Sequence, residues 1–189
     1  MAFSFSTRLA DLQKAENTVW DIVVIGGGIT GAGILLDAQS RGLNAVLVEK
    51  EDFAWGTSSR STKLIHGGLR YLKQMDIQLV REVGKERAIV LKNARNLVCP
   101  ERMLLPIYSD GNLGWGMTSL GLKVYDWLAG VPKDEQRKML SAEKTLLREP
   151  LLKKDNLKGS GLYYEYRTDD ARLTISVIKT ACQQGAIAL

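Results

Sequence analysis

Two kinds of apolar run organise the first part of this chain. "WDIVVI" (20–25) and "NAVLVE" (44–49) are short, nearly continuous and rich in β-branched residues. Such runs predict buried parallel strands. Between them, Ile29–Arg41 has the length and composition of a helix, and Gly42 stands where a glycine closes one at C′. Strand, glycine turn, helix and strand together predict a βαβ unit.

Further along, the period lengthens. Residues 76–98 predict a long helix with Ile77, Val80, Val83, Ile89 and Leu91 among its apolar positions. Gly84 inside it marks a kink, and Pro100 cannot continue it. "RMLLPIYS" (102–109) reads as a strand, an edge one because of Pro106. Residues 114–129 read as an apolar helix, and 131–138 as a charged loop or helix start. A short helix begins at Ser141 and is limited by Pro150. "GLYYEYR" (161–167) alternates like a half-buried strand, and Asp169 or Asp170 caps a final helix over 171–184. A polar leader, 1–19, carries one short helix over Leu9–Ala15. "GAIAL" (185–189) reads as a turn entering a new strand. A Rossmann-like sheet needs more parallel strands than these, so the chain is expected to be part of a longer protein.

Composition narrows this picture only a little. The 189 residues are 45% hydrophobic and 25% charged, as in ordinary globular domains. A net charge of +5 is a moderate excess that favours anionic partners without selecting one. Cys99 and Cys182 lie far apart and His66 is the lone histidine, which argues against a zinc site and for free thiols in a reducing cytoplasm. The leader lacks the apolar core of a secretory signal, and no run is long enough to span a bilayer.

Chemistry enters at "GGGITG", where Gly26, Gly28 and Gly31 hold the G-x-G-x-x-G spacing. The first glycine permits a tight turn out of the strand. The second lets backbone approach a pyrophosphate, and the third lets helix pack on strand. The helix N-terminus adds free N–H groups and a positive dipole. Glu49 ends the next strand, where a carboxylate accepts hydrogen bonds from ribose hydroxyls and repels a 2′-phosphate. The motif alone is weak. Set after an apolar strand, before a helix and with its acid in place, it is strong. A simple dehydrogenase would continue into its third strand. This chain inserts "EDFAWGTSSRSTKLIHGGLRYL", whose hydroxyls and amides suit the longer flavin dinucleotide.

The stretch from Asp21 to Leu72 closely resembles the FAD-dependent glycerol-3-phosphate dehydrogenases, within the flavoprotein group that includes D-amino-acid oxidase, and "YDWL" (125–128) and "DDARL" (169–173) match more weakly. The resemblance implies an α/β architecture: a Rossmann-like FAD-binding domain of the D-amino-acid-oxidase/glutathione-reductase type over 20–99, then the start of a mixed-sheet substrate domain over 100–189. It implies oxidation of sn-glycerol 3-phosphate to dihydroxyacetone phosphate, with electrons passing through FAD to a membrane quinone. It also implies a cytoplasmic protein held peripherally on the inner face of the membrane, and it allows a homodimer. The alternatives are an oxygen-using glycerol-phosphate oxidase, another amine- or hydroxy-acid oxidase of the same fold, and an inactive FAD-binding fragment.

Carried onto this sequence, the resemblance places Gly26, Gly27, Gly28 and Gly31 at the pyrophosphate and Glu49, with Lys50 beside it, at the ribose. Thr57, Ser58, Ser61, Thr62, Lys63, Leu64 and His66 fall along the flavin, and Arg70 and Tyr71 toward substrate. An arginine can clamp a phosphate monoester with two hydrogen bonds, and a lysine can stabilise negative charge on reduced flavin. His66 invites the role of base, but ordering the adjacent glycine loop suits it better, and no catalytic base is assigned within the chain.

Other features have plainer readings. Residues 60–102 carry ten Lys/Arg against four Asp/Glu, which suits a solvated helix face better than a lipid surface. The helix over 114–129, with Trp115, Tyr125 and Trp127, could meet a bilayer interface, but core packing is preferred. Nothing supports nucleic-acid binding. Asp169 and Asp170 read as helix caps, not catalytic acids.

Overall fold

The computed structural model describes residues 3–67, 71, 74–111 and 114–189. The chain divides into two compact units, one of residues 1–63 with 168–189 and one of 64–167. The units therefore do not follow chain order. The polar stretch after Trp55 is divided between them, Thr57–Lys63 belonging to the first and Leu64–Gly67 to the second.

The first unit is built on three parallel strands in the order β1–β2–β7: β1 (Ile22–Ile25), β2 (Ala45–Val48) and β7 (Ile187–Ala188). Its helices are α1 (Arg8–Glu16), α2 (Ile29–Ser40) and α6 (Asp170–Gln183). Val24 and Leu47 are partners in register, and with Leu35 and Ala181 they form one buried cluster. The alternation of a strand thus aims Val24 and Leu47 at α2 and α6. Val23 and Ile25, on the opposite side of β1, are exposed. The uninterrupted apolar run predicted burial on both faces; α2 and α6 share the face that carries Val24. Gly42 adopts φ +81 just past α2, as the closing glycine requires. The leader is anchored to this unit: Trp20 Nε1 donates to the Ala15 carbonyl at 2.9 Å, and Phe3 meets Phe53 ring to ring at 5.3 Å.

The second unit contains β3 (Leu64–Ile65), β4 (Val98–Tyr108), β5 (Lys138–Ser141) and β6 (Leu157–Thr168, whose last residue belongs to the first unit). The order is β3–β6–β4, with β5 also paired to β6, and both β3 and β5 run antiparallel to β6. Its helices are α3 (Ile77–Asn93), α4 (Trp115–Leu128) and α5 (Ala142–Arg148). Val80, Tyr125, Ala129 and Val131 form its buried centre.

Several expectations about extent are corrected. α3 ends at Asn93, where Ala94 leaves helical geometry, not at residue 98. β4 begins at Val98 and runs through Pro100, whose missing N–H disqualifies it from a helix interior but not from a strand. β6 starts four residues before the alternating stretch. Gly84 does not break α3: a Cβ there would lie 2.5 Å from Ala129 Cα, so the glycine allows a close approach of α3 to the end of α4. α4 buries only one face, through Thr118, Leu122, Tyr125 and Asp126; Met117, Leu120 and Trp127 are exposed. Among the described residues no helix is long and apolar enough to cross a membrane.

Candidate functional site

The glycine turn joins β1 to α2. Gly26 leaves the strand at φ +109, a conformation that side chains rarely tolerate. Gly31, on the first turn of α2, lies so close to the Gly26 carbonyl that a Cβ would collide with its oxygen. Two glycines thus allow the helix to begin directly against the strand end. Gly28 is the N-cap, and the Ala32 N–H makes the first helical bond to its carbonyl at 2.9 Å.

Glu49 reaches back to this turn from the end of β2. Its Oε2 accepts from the Gly27 N–H at 2.6 Å and its Oε1 from the Glu51 N–H at 3.0 Å. These bonds, from Glu51 and then Gly27, hold its carboxyl below the usual range. The carboxylate is therefore charged and fixed in direction. Each oxygen keeps a further lone pair for an outside donor.

The segment after β2 closes around the turn. Ala54, buried at φ +62, donates its N–H to the Gly27 carbonyl at 2.9 Å. Phe53 forms a wall: a Cβ on Gly27 would lie 2.6 Å from its ring. Thr57–Ser59 make a single 3-10 turn. Ser58 Oγ accepts from the Ile29 N–H, the first amide of α2, at 2.9 Å. The Arg60 guanidinium lies over the Trp55 ring at 5.2 Å.

Ser61 and Lys63 form a second group. Both bind Asp170 at the start of α6: Ser61 Oγ donates at 2.6 Å and Lys63 Nζ at 2.5 Å. Lys63 Nζ also donates to the Ser59 carbonyl. Lys50 is exposed near Glu51, and Thr57 and Thr62 are exposed.

The remaining expected residues belong to the second unit. Leu64 pairs with Arg167 in β3–β6. His66 is exposed. The next amide, Gly67 N–H, donates to Glu165 Oε2 at 2.8 Å, and Glu165 pairs with Arg87. Tyr71 is exposed, and Arg70 lies outside the described residues. Within the first unit the structure therefore brings together Gly26, Gly27, Gly28, Gly31, Glu49 and Ser58, and separately Ser61 with Lys63. Phe53, Ala54 and Asp170 were not expected there. A partly buried aromatic and a left-handed alanine leave no spacing signal. Asp170 was read only as a cap, although its acidic type beside a second acid was legible.

The turn, its fixed carboxylate and the hydroxyl at the helix start suit a dinucleotide. Comparison with known proteins agrees. Residues 21–189 match the family described as FAD dependent oxidoreductase. The chain belongs to that family. It is 61% identical over 188 residues to the aerobic glycerol-3-phosphate dehydrogenase of Bacillus subtilis, covering 98% of this chain and 34% of that protein. It is 59% identical over 186 residues to the enzyme of the same name from Staphylococcus haemolyticus, covering 98% and 33%. Among solved structures, the glycerol-3-phosphate dehydrogenase of Bacillus halodurans complexed with FAD is 45% identical, with a TM-score of 0.72 over 97% of this chain and 28% of that one. The chain thus spans about a third of the length of the curated relatives it matches.

As a member of the FAD-dependent oxidoreductases, the chain can be tested for fit to the cofactor. The cradle fits: Gly27 and Gly28 leave space that a Cβ would fill, against Phe53 and Ser58 respectively. The donor set fits as well, with the α2 amides for phosphate and the Glu49 carboxylate for hydroxyls.

Proposed function

We propose that this chain is the FAD-binding N-terminal part of a glycerol-3-phosphate dehydrogenase that oxidises sn-glycerol 3-phosphate to dihydroxyacetone phosphate and delivers electrons to a membrane quinone. The observation that carries the reading is the Gly26–Gly31 turn with Glu49 bonded to it, in a chain about three-fifths identical to dehydrogenases of that name. When bound, FAD supplies the redox chemistry by accepting hydride from the substrate carbon.

The chain's own residues hold and orient. With the Ile29 N–H held by Ser58, the N–H groups that follow it in the first turn of α2 meet the pyrophosphate, helped by the positive end of the helix dipole. Glu49 accepts from the ribose hydroxyls and excludes a 2′-phosphate by like charge. Ser58 and Thr57 add hydroxyl donors beside the turn, and Ser61, Thr62, Lys63, Leu64 and His66 continue toward the flavin. Lys50 is exposed beside Glu49, free to follow the ribose. Arg70 and Tyr71 face the substrate phosphate. A guanidinium stays charged at any working pH and matches a phosphate with two parallel bonds. The protein acts from the cytoplasmic face of the membrane as a peripheral protein, and a homodimer is compatible with this reading.

The test is spectroscopic. The chain is purified, its flavin absorbance recorded, and sn-glycerol 3-phosphate added without oxygen. Bleaching of the flavin band is the expected result for a complete site. Bound flavin that does not bleach would confine this chain to the cofactor half. Peroxide formed in place of quinone reduction would replace the dehydrogenase with an oxidase.

A further inference from the structure

Two acids begin α6, and they do different work. Asp169 is the helix cap: its Oδ1 accepts from the Arg172 N–H at 3.1 Å. Asp170 turns away from that task. Its Oδ2 accepts from Ser61 Oγ at 2.6 Å, and its Oδ1 accepts from Lys63 Nζ at 2.5 Å and from its neighbour Ala171 N–H at 2.9 Å. The Asp170 side chain is 14% exposed. Burial pushes its carboxyl up, but the bonds from Lys63 and Ser61 outweigh that and leave it below the ordinary range. It is therefore an anion in the folded chain.

Its two partners are tied into one short segment. The Lys63 N–H donates to Ser61 Oγ at 3.0 Å, and Lys63 Nζ reaches back to the Ser59 carbonyl. The Lys63 backbone sits at φ +62, a conformation that a side-chain-bearing residue keeps only when its surroundings hold it. The Thr168 N–H holds it further by donating to the Lys63 carbonyl at 2.9 Å. One residue before Ser59, Ser58 accepts from the first amide of α2. A continuous set of bonds thus runs from Asp170 through Lys63 and Ser61 to Ser59, and along the chain to the glycine turn.

We propose that Asp170 is a positioning residue for cofactor binding: it fixes Ser59–Lys63 so that the adjoining Ser58 stays at the start of α2. The proposal rests on the reading of the first unit as the FAD site. It also changes the part played by Lys63. An ammonium paired with a carboxylate presents a dipole, not a free positive charge, so Lys63 serves the flavin by shaping the loop.

The test uses Asp170→Asn, Asp169→Ala, Lys63→Met and the double variant Asp170→Asn/Lys63→Met, with FAD as the probe. Asp170→Asn is expected to weaken FAD binding about tenfold, the scale of one charge-assisted hydrogen bond. Asp169→Ala removes only the helix cap; it lowers the melting temperature but leaves FAD affinity within about twofold. Lys63→Met adds no further loss in the Asp170→Asn background, because the two residues act as one unit. Equal weakening by Asp169→Ala would reduce Asp170 to a helix-stability residue and overturn the proposal, as would unchanged affinity in Asp170→Asn. Amide hydrogen exchange without FAD gives an independent reading. Asp170→Asn is expected to speed exchange at Ile29 and Lys63, and Asp169→Ala is not. Unchanged exchange at both amides in Asp170→Asn overturns the inference. A folded wild-type chain that binds no FAD would instead strike the reading on which it rests.

Discussion

Arg87 and Glu165 form an ion pair almost wholly removed from water, with Nη1 and Oε2 3.3 Å apart and side chains 2% and 3% exposed. Arg87 also donates to the Tyr125 hydroxyl at 2.9 Å and to the Tyr164 carbonyl at 3.0 Å, and its guanidinium lies 4.5 Å from the centre of the Tyr166 ring. Glu165 in turn holds the Gly67 N–H. One buried pair therefore ties α3, α4 and β6 to the peptide that follows His66.

Breaking this pair from one side is expected to be severe. Glu165→Ala leaves a buried guanidinium and the Gly67 amide without their acceptor, a loss of about 3–5 kcal/mol in urea unfolding. Arg87→Met with Glu165→Leu removes both charges and is expected to recover much of that loss. If the double variant were as unstable as Glu165→Ala, stability would depend on the charges themselves.

The same pair sets a pH dependence. Burial pushes the Glu165 carboxyl up, against the lowering effects of the Gly67 N–H and Arg87. A folded value above the unfolded one means that its contribution is fully present below the unfolded value and is lost as pH rises through the folded value. Glu165→Gln should remove that slope from a plot of melting temperature against pH. An identical slope in wild type and variant would assign it to other groups.

Gly84→Ala tests two opposing effects. Alanine favours a helix interior by about 1 kcal/mol over glycine. Here its methyl would meet Ala129 at 2.5–2.7 Å. Overpacking of this kind costs about 1–3 kcal/mol, so a lower urea midpoint is expected. A raised midpoint would show that α3 and α4 can part without loss.

Acidification should release the cofactor. Glu49 and Asp170 both have lowered carboxyl values, so what they contribute is present above the unfolded values and is lost as pH falls through the folded ones. FAD fluorescence should rise as flavin leaves the protein below about pH 4. Glu49→Gln is expected to weaken binding at neutral pH by about tenfold, since its amide nitrogen would face one of the two N–H groups that the carboxylate oxygens satisfied.

Much of the first unit was legible because its signals are local. The β-branched runs, the helix between them and the Gly26–Gly28–Gly31 spacing are each readable within a few residues, and Asp169 announced the start of α6. What escaped depends on distant partners. β3 and β5 are two and four residues long and exist by pairing with β6, so neither has a period of its own. The need for glycine at 84 is set by Ala129, and the bonding of Lys63 by Asp170, 107 positions away. The positive φ of Ala54 and Lys63 departs from what their side chains favour, and no local pattern encodes it. The residue types that the proposed site needs were legible in the sequence. The direction in which Lys63 points did not.

The Gly26–Gly31 turn, with Glu49 bonded to it, is proposed as an FAD site. Titration of FAD into the folded chain, followed by quenching of flavin fluorescence, tests it most directly. Saturable binding of about one FAD per chain is expected, lost in Gly31→Val, whose side chain would collide with the Gly26 carbonyl oxygen. A folded wild-type chain that leaves FAD fluorescence unchanged, or a Gly31→Val variant that binds as tightly as wild type, would contradict it.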